Sequence, residues 1–155
     1  MNPMTYSEEH TLSCPLEARY KKLVRVILDN EGARNTPFTT EKGIDLDQYE
    51  VEKSRGGNRD NTMDFCIGLT TRELLLVEAK LRVKDPRNLK KTELESKIRH
   101  SKELLVESER TVAKQKVFLF DNSVVARARH HLAKLFSNNP NLLVYTVQEF
   151  KENCF

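Results

Sequence analysis

Three charged residues, Asp64, Glu78 and Lys80, stand in apolar surroundings where acids and lysines are uncommon. The apolar segments 62–69 and 73–80 are joined by three polar residues, a pattern that predicts a β-hairpin. Asp64 lies on the first strand of this hairpin, and Glu78 and Lys80 close the second. Two carboxylates and one amine brought together in this way are the set that metal-dependent phosphodiester cleavage needs.

The predicted hairpin also has a predicted register. A turn centred on Thr71 places Asp64 directly opposite Glu78. Because side chains alternate between the two faces of a strand, Asp64, Glu78 and Lys80 should share one face. The other face is expected to hold Met63, Phe65, Ile67, Val77 and Ala79. Facing carboxylates repel and lose hydration on burial, and a hard divalent cation would offset both effects.

This arrangement resembles the PD-(D/E)XK nuclease superfamily, whose motif is an acid on one strand of a hairpin and (Asp/Glu)-X-Lys on the next. Asp64 and Glu78-Ala79-Lys80 match it, and Met63 stands where the family often has Pro. The resemblance implies Mg²⁺ or Mn²⁺ held by Asp64, Glu78 and the backbone carbonyl of Ala79. It implies that Lys80 orients and helps to deprotonate the attacking water, and that hydrolysis leaves a 5′-phosphate and a 3′-hydroxyl.

Many members of that family place a further acid on the first helix, and Glu17 is the candidate for it here. The alternative is that Glu17 is an acid in the first turn of a helix, where the macrodipole favours negative charge. The sequence leaves both interpretations open.

Basic residues occur in the segments before and after the hairpin. As a group they predict contact with the phosphates of a nucleic acid, although each alone is typical of a solvated surface. They are Arg55, Arg59, Arg82, Lys84, Arg87, Lys90 and Lys91. A second basic cluster, 127–134, is interpreted as a solvated helix face, and its two adjacent histidines lack the partners of a metal site.

Hydrophobic periodicity predicts the element order α-β-β-β-α-β-α-β and an α/β fold with a mixed sheet between helices. The same order is typical of the PD-(D/E)XK core. The predicted elements are a helix over 15–30, a strand over 47–53, the hairpin, a helix over 92–111, a strand over 116–120, a helix to about 136, a strand over 142–147 and a short charged tail.

The bulk properties predict one domain over residues 1–155, with 1–14 as a flexible lead-in. Three scattered cysteines indicate a reduced, cytoplasmic protein without a zinc site, and no apolar run is long enough for a membrane span. A net charge of +3 permits nucleic-acid binding without requiring it.

The sequence therefore predicts a Mg²⁺-dependent nuclease. DNA is favoured over RNA by the resemblance alone, so RNA remains open. The alternatives are a catalytically silent nuclease-fold module that binds nucleic acid or acts as a scaffold, and a nuclease subunit or toxin that is active only with a partner protein. So small a chain leaves little room for reading a target sequence, which makes a homodimer mate or an accessory subunit the expected source of specificity.

Overall fold

The computed structural model describes residues 4–54 and 61–155. Within these ranges six strands form one sheet in chain order. The strands are β1 (Lys21–Leu23), β2 (Lys42–Asp45), β3 (Phe65–Gly68), β4 (Leu74–Ala79), β5 (Val112–Leu119) and β6 (Leu142–Tyr145). Strands β1 to β4 pair antiparallel, whereas β4, β5 and β6 run parallel. The predicted α/β class with a mixed sheet is confirmed.

Six α-helices accompany the sheet in the same part of the chain. They are α1 (Glu8–Leu12), α2 (Val24–Asn30), α3 (Leu46–Ser54), α4 (Lys91–Leu104), α5 (Val125–Leu135) and α6 (Val147–Cys154). Helices α3, α4 and α5 contribute to the apolar layer on one face of the sheet, and α2 and α6 contribute to the layer on the other. The helices therefore flank the sheet on both faces, as parallel strands require.

The predicted helix over 15–30 is wrong in its first half. A short 3₁₀ turn (Ala18–Tyr20) leads into β1, and α2 begins only at Val24. Lys21 and Leu23 are opposite Ile44 and Lys42 of β2. Pairing with a distant strand therefore overrides the helical periodicity of this segment.

The predicted strand over 47–53 is also wrong, because this segment is the body of α3. The strand is the preceding β2, which lies before the segment predicted to be extended. Asp45 ends β2, and its Oδ1 accepts a hydrogen bond from the Gln48 N–H at 3.0 Å. An acid in this position satisfies a free N–H group in the first turn of a helix.

Both ends of the described chain are ordered parts of the fold. Residues 4–14, expected to be flexible, pack on the sheet: the Tyr6 N–H donates to the Cys154 carbonyl at 2.7 Å, and the buried Thr11 accepts from the Gly68 N–H at 2.8 Å. The expected charged tail is α6, which begins with a capping box between Thr146 and Glu149.

The remaining elements differ from prediction only in their ends. Helix α4 stops at Leu104 and a 3₁₀ turn (Leu105–Ser108) follows, while β5 begins four residues earlier than the predicted strand at 116. No helix in residues 4–54 or 61–155 has the length and apolar character to cross a lipid bilayer.

Candidate active site

The acidic end of the β3–β4 hairpin has the register that the sequence predicts. Phe65 pairs with Val77, so one further step places Asp64 opposite Glu78. The Ala79 N–H donates to Asp64 Oδ2 at 2.7 Å, and the Asp64 N–H donates to Glu78 Oε1 at 3.1 Å. These two bonds hold Asp64 and Glu78, here called the carboxylate pair, side by side.

The carboxylate pair lies on the sheet face covered by α4. Glu78 is only 1% exposed, and Leu76, two residues before it, belongs to the α4-side core. The opposite core contains, as expected, Phe65, Ile67, Val77 and Ala79. Met63 does not follow the expectation, because it packs in the α4-side core. Its N–H donates to Ser101 Oγ of α4 at 2.8 Å, and this contact rather than strand alternation holds Met63 on the α4 side.

Two lysines neutralise Glu78. Lys80 follows β4, and its Nζ lies 3.3 Å from Glu78 Oε2. Lys97, on α4, contacts the same oxygen and donates a hydrogen bond to it. Both lysine side chains are largely buried, with 17% and 16% exposed. Asp64, Glu78, Lys80 and Lys97 are here called the acid–lysine cluster.

Sequence reasoning missed Lys97 because α4 carries many charged residues. Its spacing is the signal that could have found it. Lys97 is three residues after Leu94 and four before Ser101, and both of these are buried. Residues at such spacings share one helix face, so Lys97 lies on the buried stripe. Burial lowers the pKa of Lys97, but the charge of Glu78 and its hydrogen bond outweigh burial and raise it overall.

The electrostatics of Asp64 are opposite in sign. Burial, and next the charge of Glu78, raise the pKa of Asp64 from 3.8 to about 8, while the Ala79 N–H acts in the lowering direction. The folded protein therefore favours a protonated Asp64 at neutral pH. A cation bound between the two carboxylates would favour the ionised form.

Glu31, the C-cap residue of α2, is a further acid whose pKa depends on the charge at this site. Burial, and next the charge of Glu78, raise its pKa, and Glu31 in turn raises the pKa of Asp64. The structure does not bring Glu17 to the acid–lysine cluster. Its side chain is 67% exposed and forms an ion pair with Arg19 at 2.9 Å. A 3₁₀ turn and β1 replace the first half of the predicted helix, so Glu17 lies outside α2. Glu31 is the C-cap residue of α2.

The predicted basic residues that the structure describes run from the end of β4 to the first residue of α4, and their surroundings differ. Arg82 approaches Gly32 of the chain that follows α2, and its Nη2 donates to the Asn30 carbonyl at 3.0 Å. Arg87 forms two side-chain hydrogen bonds to Asp85.

Three further predicted basic residues complete the segment. The Lys84 carbonyl accepts from Arg127, Lys90 is the N-cap residue of α4, and the Lys91 Nζ lies 5.8 Å from the centre of the Phe136 ring. Arg55 and Arg59 lie outside the described residues.

A cleft of about 830 Å³ is lined by residues that follow Lys80 and Glu31 in the chain, although no member of the acid–lysine cluster lines it. Its wall includes Leu81, which follows Lys80, and Gly32, which follows Glu31. Other lining residues follow β5 and β6, so the cleft lies at the carboxyl ends of the parallel strands, where α/β folds commonly bind ligands. The remaining wall residues are Ala33, Arg34, Asn35, Thr36, Pro37, Arg82, Phe120, Asp121, Asn122, Val147 and Gln148.

The carboxylate pair suits a hard divalent cation. Within residues 4–54 and 61–155, no three His, Cys, Asp or Glu side chains are placed to hold a metal ion together. Mg²⁺, however, is usually held by one or two carboxylates, with water and substrate phosphate supplying its other ligands. Asp64 and Glu78, with the nearby Ala79 carbonyl, fit this donor set. Lys97 would have to move away from Glu78 or share it with the ion.

Comparison with known proteins adds no assignment. No family model, curated protein or solved structure matches this chain.

Proposed function

We propose that this protein is a divalent-cation-dependent nuclease that hydrolyses phosphodiester bonds in DNA. The carboxylate pair carries the proposal. Two acids face each other on the α4 side of a hairpin, and burial and mutual repulsion raise the pKa of Asp64 to about 8. Such an arrangement costs stability unless a cation offsets it, and Lys80 stands beside it at 3.3 Å from Glu78. The similarity to the PD-(D/E)XK motif supports the same conclusion.

Each residue of the site then has a defined part. Asp64, Glu78 and the Ala79 carbonyl would hold Mg²⁺, for which Mn²⁺ substitutes. When bound, the ion supplies polarisation of the phosphoryl group and an acidified water. Lys80 orients the attacking water and places positive charge where negative charge develops on the phosphate. Glu31 is close enough to influence the charge of Asp64 and adds negative potential that favours cation binding.

The neighbouring cleft supports a polyanionic substrate. Arg34 and Arg82 lie on its wall, and so does Thr36, whose Oγ1 is buried and has no hydrogen-bond partner among the described residues. Guanidinium groups that line a cleft favour phosphate binding. We propose that the protein acts in the cytoplasm on DNA and that a second copy or an accessory subunit provides target specificity.

One contact favours a second candidate function. Lys97 already neutralises Glu78, so the acid–lysine cluster is partly balanced without any metal. A protein in which Lys97 never leaves Glu78 would bind nucleic acid through its basic residues without cleaving it. Cleavage and binding must therefore be measured separately.

The test is incubation of the purified protein with linear, circular, branched and single-stranded DNA and with RNA, in Mn²⁺, Mg²⁺ or EDTA. We expect cleavage of DNA that requires the metal and that is lost in Glu78→Gln and in Lys80→Met. Glu73→Gln is the matched control, because Glu73 is an acid of the same hairpin that lies next to the turn, away from the carboxylate pair. Circular dichroism and the thermal midpoint establish that each variant is folded.

Three results separate the candidates. Undiminished cleavage by either folded variant would overturn the assignment of the site. Metal-dependent cleavage of RNA alone would keep the site and correct the substrate. Binding of DNA without cleavage of any substrate, in the wild type and in Lys97→Met, would favour the non-cleaving module.

A further inference from the structure

The pairing between β4 and β5 contains a β-bulge near the start of β5. Leu74 of β4 pairs with Val112, but Leu76 pairs with Lys116, so two residues of advance on β4 correspond to four on β5. A bulge of this kind takes backbone groups out of the ladder. The carbonyl of Lys114, which lies within the bulge, accepts a hydrogen bond from Lys116 Nζ at 2.6 Å.

Lys116 is buried in an environment that disfavours it. The residue is 8% exposed and shares the α4-side face with its partner Leu76. No carboxylate in residues 4–54 or 61–155 forms an ion pair with it, and the Lys114 carbonyl takes one of its three ammonium protons. Burial, and next the positive charge of Lys102, lower its pKa from 10.5 to about 8.

Lys116 lines a pocket of about 440 Å³ between α4 and β5. A stripe of α4 forms one wall with Arg99 and Lys102, and Lys114 and Lys116 of β5 form another. Four cations thus surround one pocket, and Glu95 supplies the single carboxylate among its lining residues. None of these residues belongs to the acid–lysine cluster or to the cleft of about 830 Å³.

A buried cation that faces other cations is destabilising unless an anion joins it. We infer that the pocket bounded by Arg99, Lys102, Lys114 and Lys116 is a binding site for the phosphoryl group of a ligand. Ammonium and guanidinium groups make their shortest and strongest hydrogen bonds to such oxyanions, and phosphate oxygens would accept hydrogen bonds from the two remaining N–H groups of Lys116.

The phosphoryl group could belong to a free small molecule or to a nucleic-acid backbone, and two probes distinguish these sources. Inorganic phosphate is titrated at pH 7 against sodium chloride of equal ionic strength, with the thermal midpoint as the readout. We expect a saturable rise of about 2–4 °C in the wild type that chloride does not reproduce. A single-stranded oligonucleotide is titrated in parallel by fluorescence anisotropy in EDTA.

Lys116→Met should abolish the phosphate-specific rise. Its midpoint without phosphate should equal or exceed that of the wild type, because the buried charge is gone. Lys102→Gln changes an exposed residue and should weaken phosphate binding by about tenfold, which tests the pocket if Lys116→Met does not fold. Lys80→Met should retain the full phosphate effect, because Lys80 lies at the other site. Lys53→Met, on α3, is the matched surface control.

Loss of the phosphate effect together with unchanged oligonucleotide binding identifies a free phosphorylated ligand. Loss of both identifies a backbone phosphate. A wild type that responds equally to phosphate and chloride, or a Lys102→Gln variant that keeps the full phosphate effect, would overturn the inference. The proposed nuclease activity is not needed for any of these results, so the two proposals succeed or fail separately.

Discussion

Replacing Asp64 with Asn should stabilise the metal-free protein, although it removes an acid that the proposed reaction needs. The folded state holds a proton on Asp64 up to about pH 8, whereas the unfolded chain releases it near 3.8. Between these values the folded state binds more protons, so the free energy of unfolding falls as pH rises. Each pH unit contributes about 1.4 kcal/mol at most, which sets an upper limit of about 4 kcal/mol at pH 7.

The expected gain is smaller than this limit because Lys80 and Lys97 already neutralise Glu78. In the Asp64→Asn variant, the amide side chain can still accept the Ala79 N–H through its oxygen, and its NH₂ group can donate to Glu78. We therefore expect Asp64→Asn to raise the free energy of unfolding at pH 7 by about 1–2 kcal/mol, or the thermal midpoint by about 3–6 °C. Near pH 4 the gain should disappear.

The assay is urea unfolding in EDTA from pH 4 to pH 8, followed by thermal scans with and without Mn²⁺. Mn²⁺ should raise the midpoint of the wild type and leave Asp64→Asn unchanged, because a cation that binds only the folded state stabilises it by mass action. Asp85→Asn is the matched control. Arg87 holds the pKa of Asp85 below its usual range, so this variant should gain no stability at pH 7.

The reasoning is refuted if Asp64→Asn is less stable than the wild type at pH 7, or if its stability falls as steeply as that of the wild type between pH 4 and pH 8. A shallower fall is expected to remain, because the pKa of Glu31 is also raised. A variant that Mn²⁺ still stabilises would show that the two acids do not share a cation. The proposed nuclease would then lose its main physical support.

Two further predictions concern the neighbours of the site. Glu31→Gln should weaken cleavage at limiting Mn²⁺ more than Glu17→Gln does. The reason is that Glu31 interacts electrostatically with Glu78, whereas the Glu17 side chain is exposed. Equal cleavage rates for the two variants would contradict this prediction. Gly68→Ala should lower the free energy of unfolding by about 2–4 kcal/mol in urea, because its Cβ would lie 2.5 Å from the backbone nitrogen of Thr11 in α1. A loss below about 0.5 kcal/mol would show that the N-terminal segment is not packed on β3 as described.

The hairpin could be predicted from the sequence because its signals are local. A three-residue polar turn sets the register, and the two-residue period of a strand then decides which side chains share a face. Asp64 and Glu78 follow from these rules alone, and their interlocking hydrogen bonds agree with the prediction. Helix α5 and strand β6 were predictable for the same reason, since each has a clear period and turn residues at its ends.

The other parts of the fold depend on partners far away in the chain. Residues 15–30 have a helical period, yet Lys21–Leu23 form a strand because β2 offers hydrogen bonds to its backbone. Segment 47–53 has a weak pattern, and the end of β2 at Asp45 decides that a helix follows. A local pattern cannot reveal a pairing whose partner lies about twenty residues away.

The chemistry of the site divides in the same way. That two acids and a lysine meet at one end of a hairpin follows from strand periodicity, which can be read from the amino-acid order. Only the packing of distant elements places Lys97 against Glu78, brings Glu31 under the influence of the charge of Glu78, and buries Lys116 near Lys102. Charge interactions depend on distance and burial, and both are set by the packing of helices on the sheet rather than by neighbours in the chain.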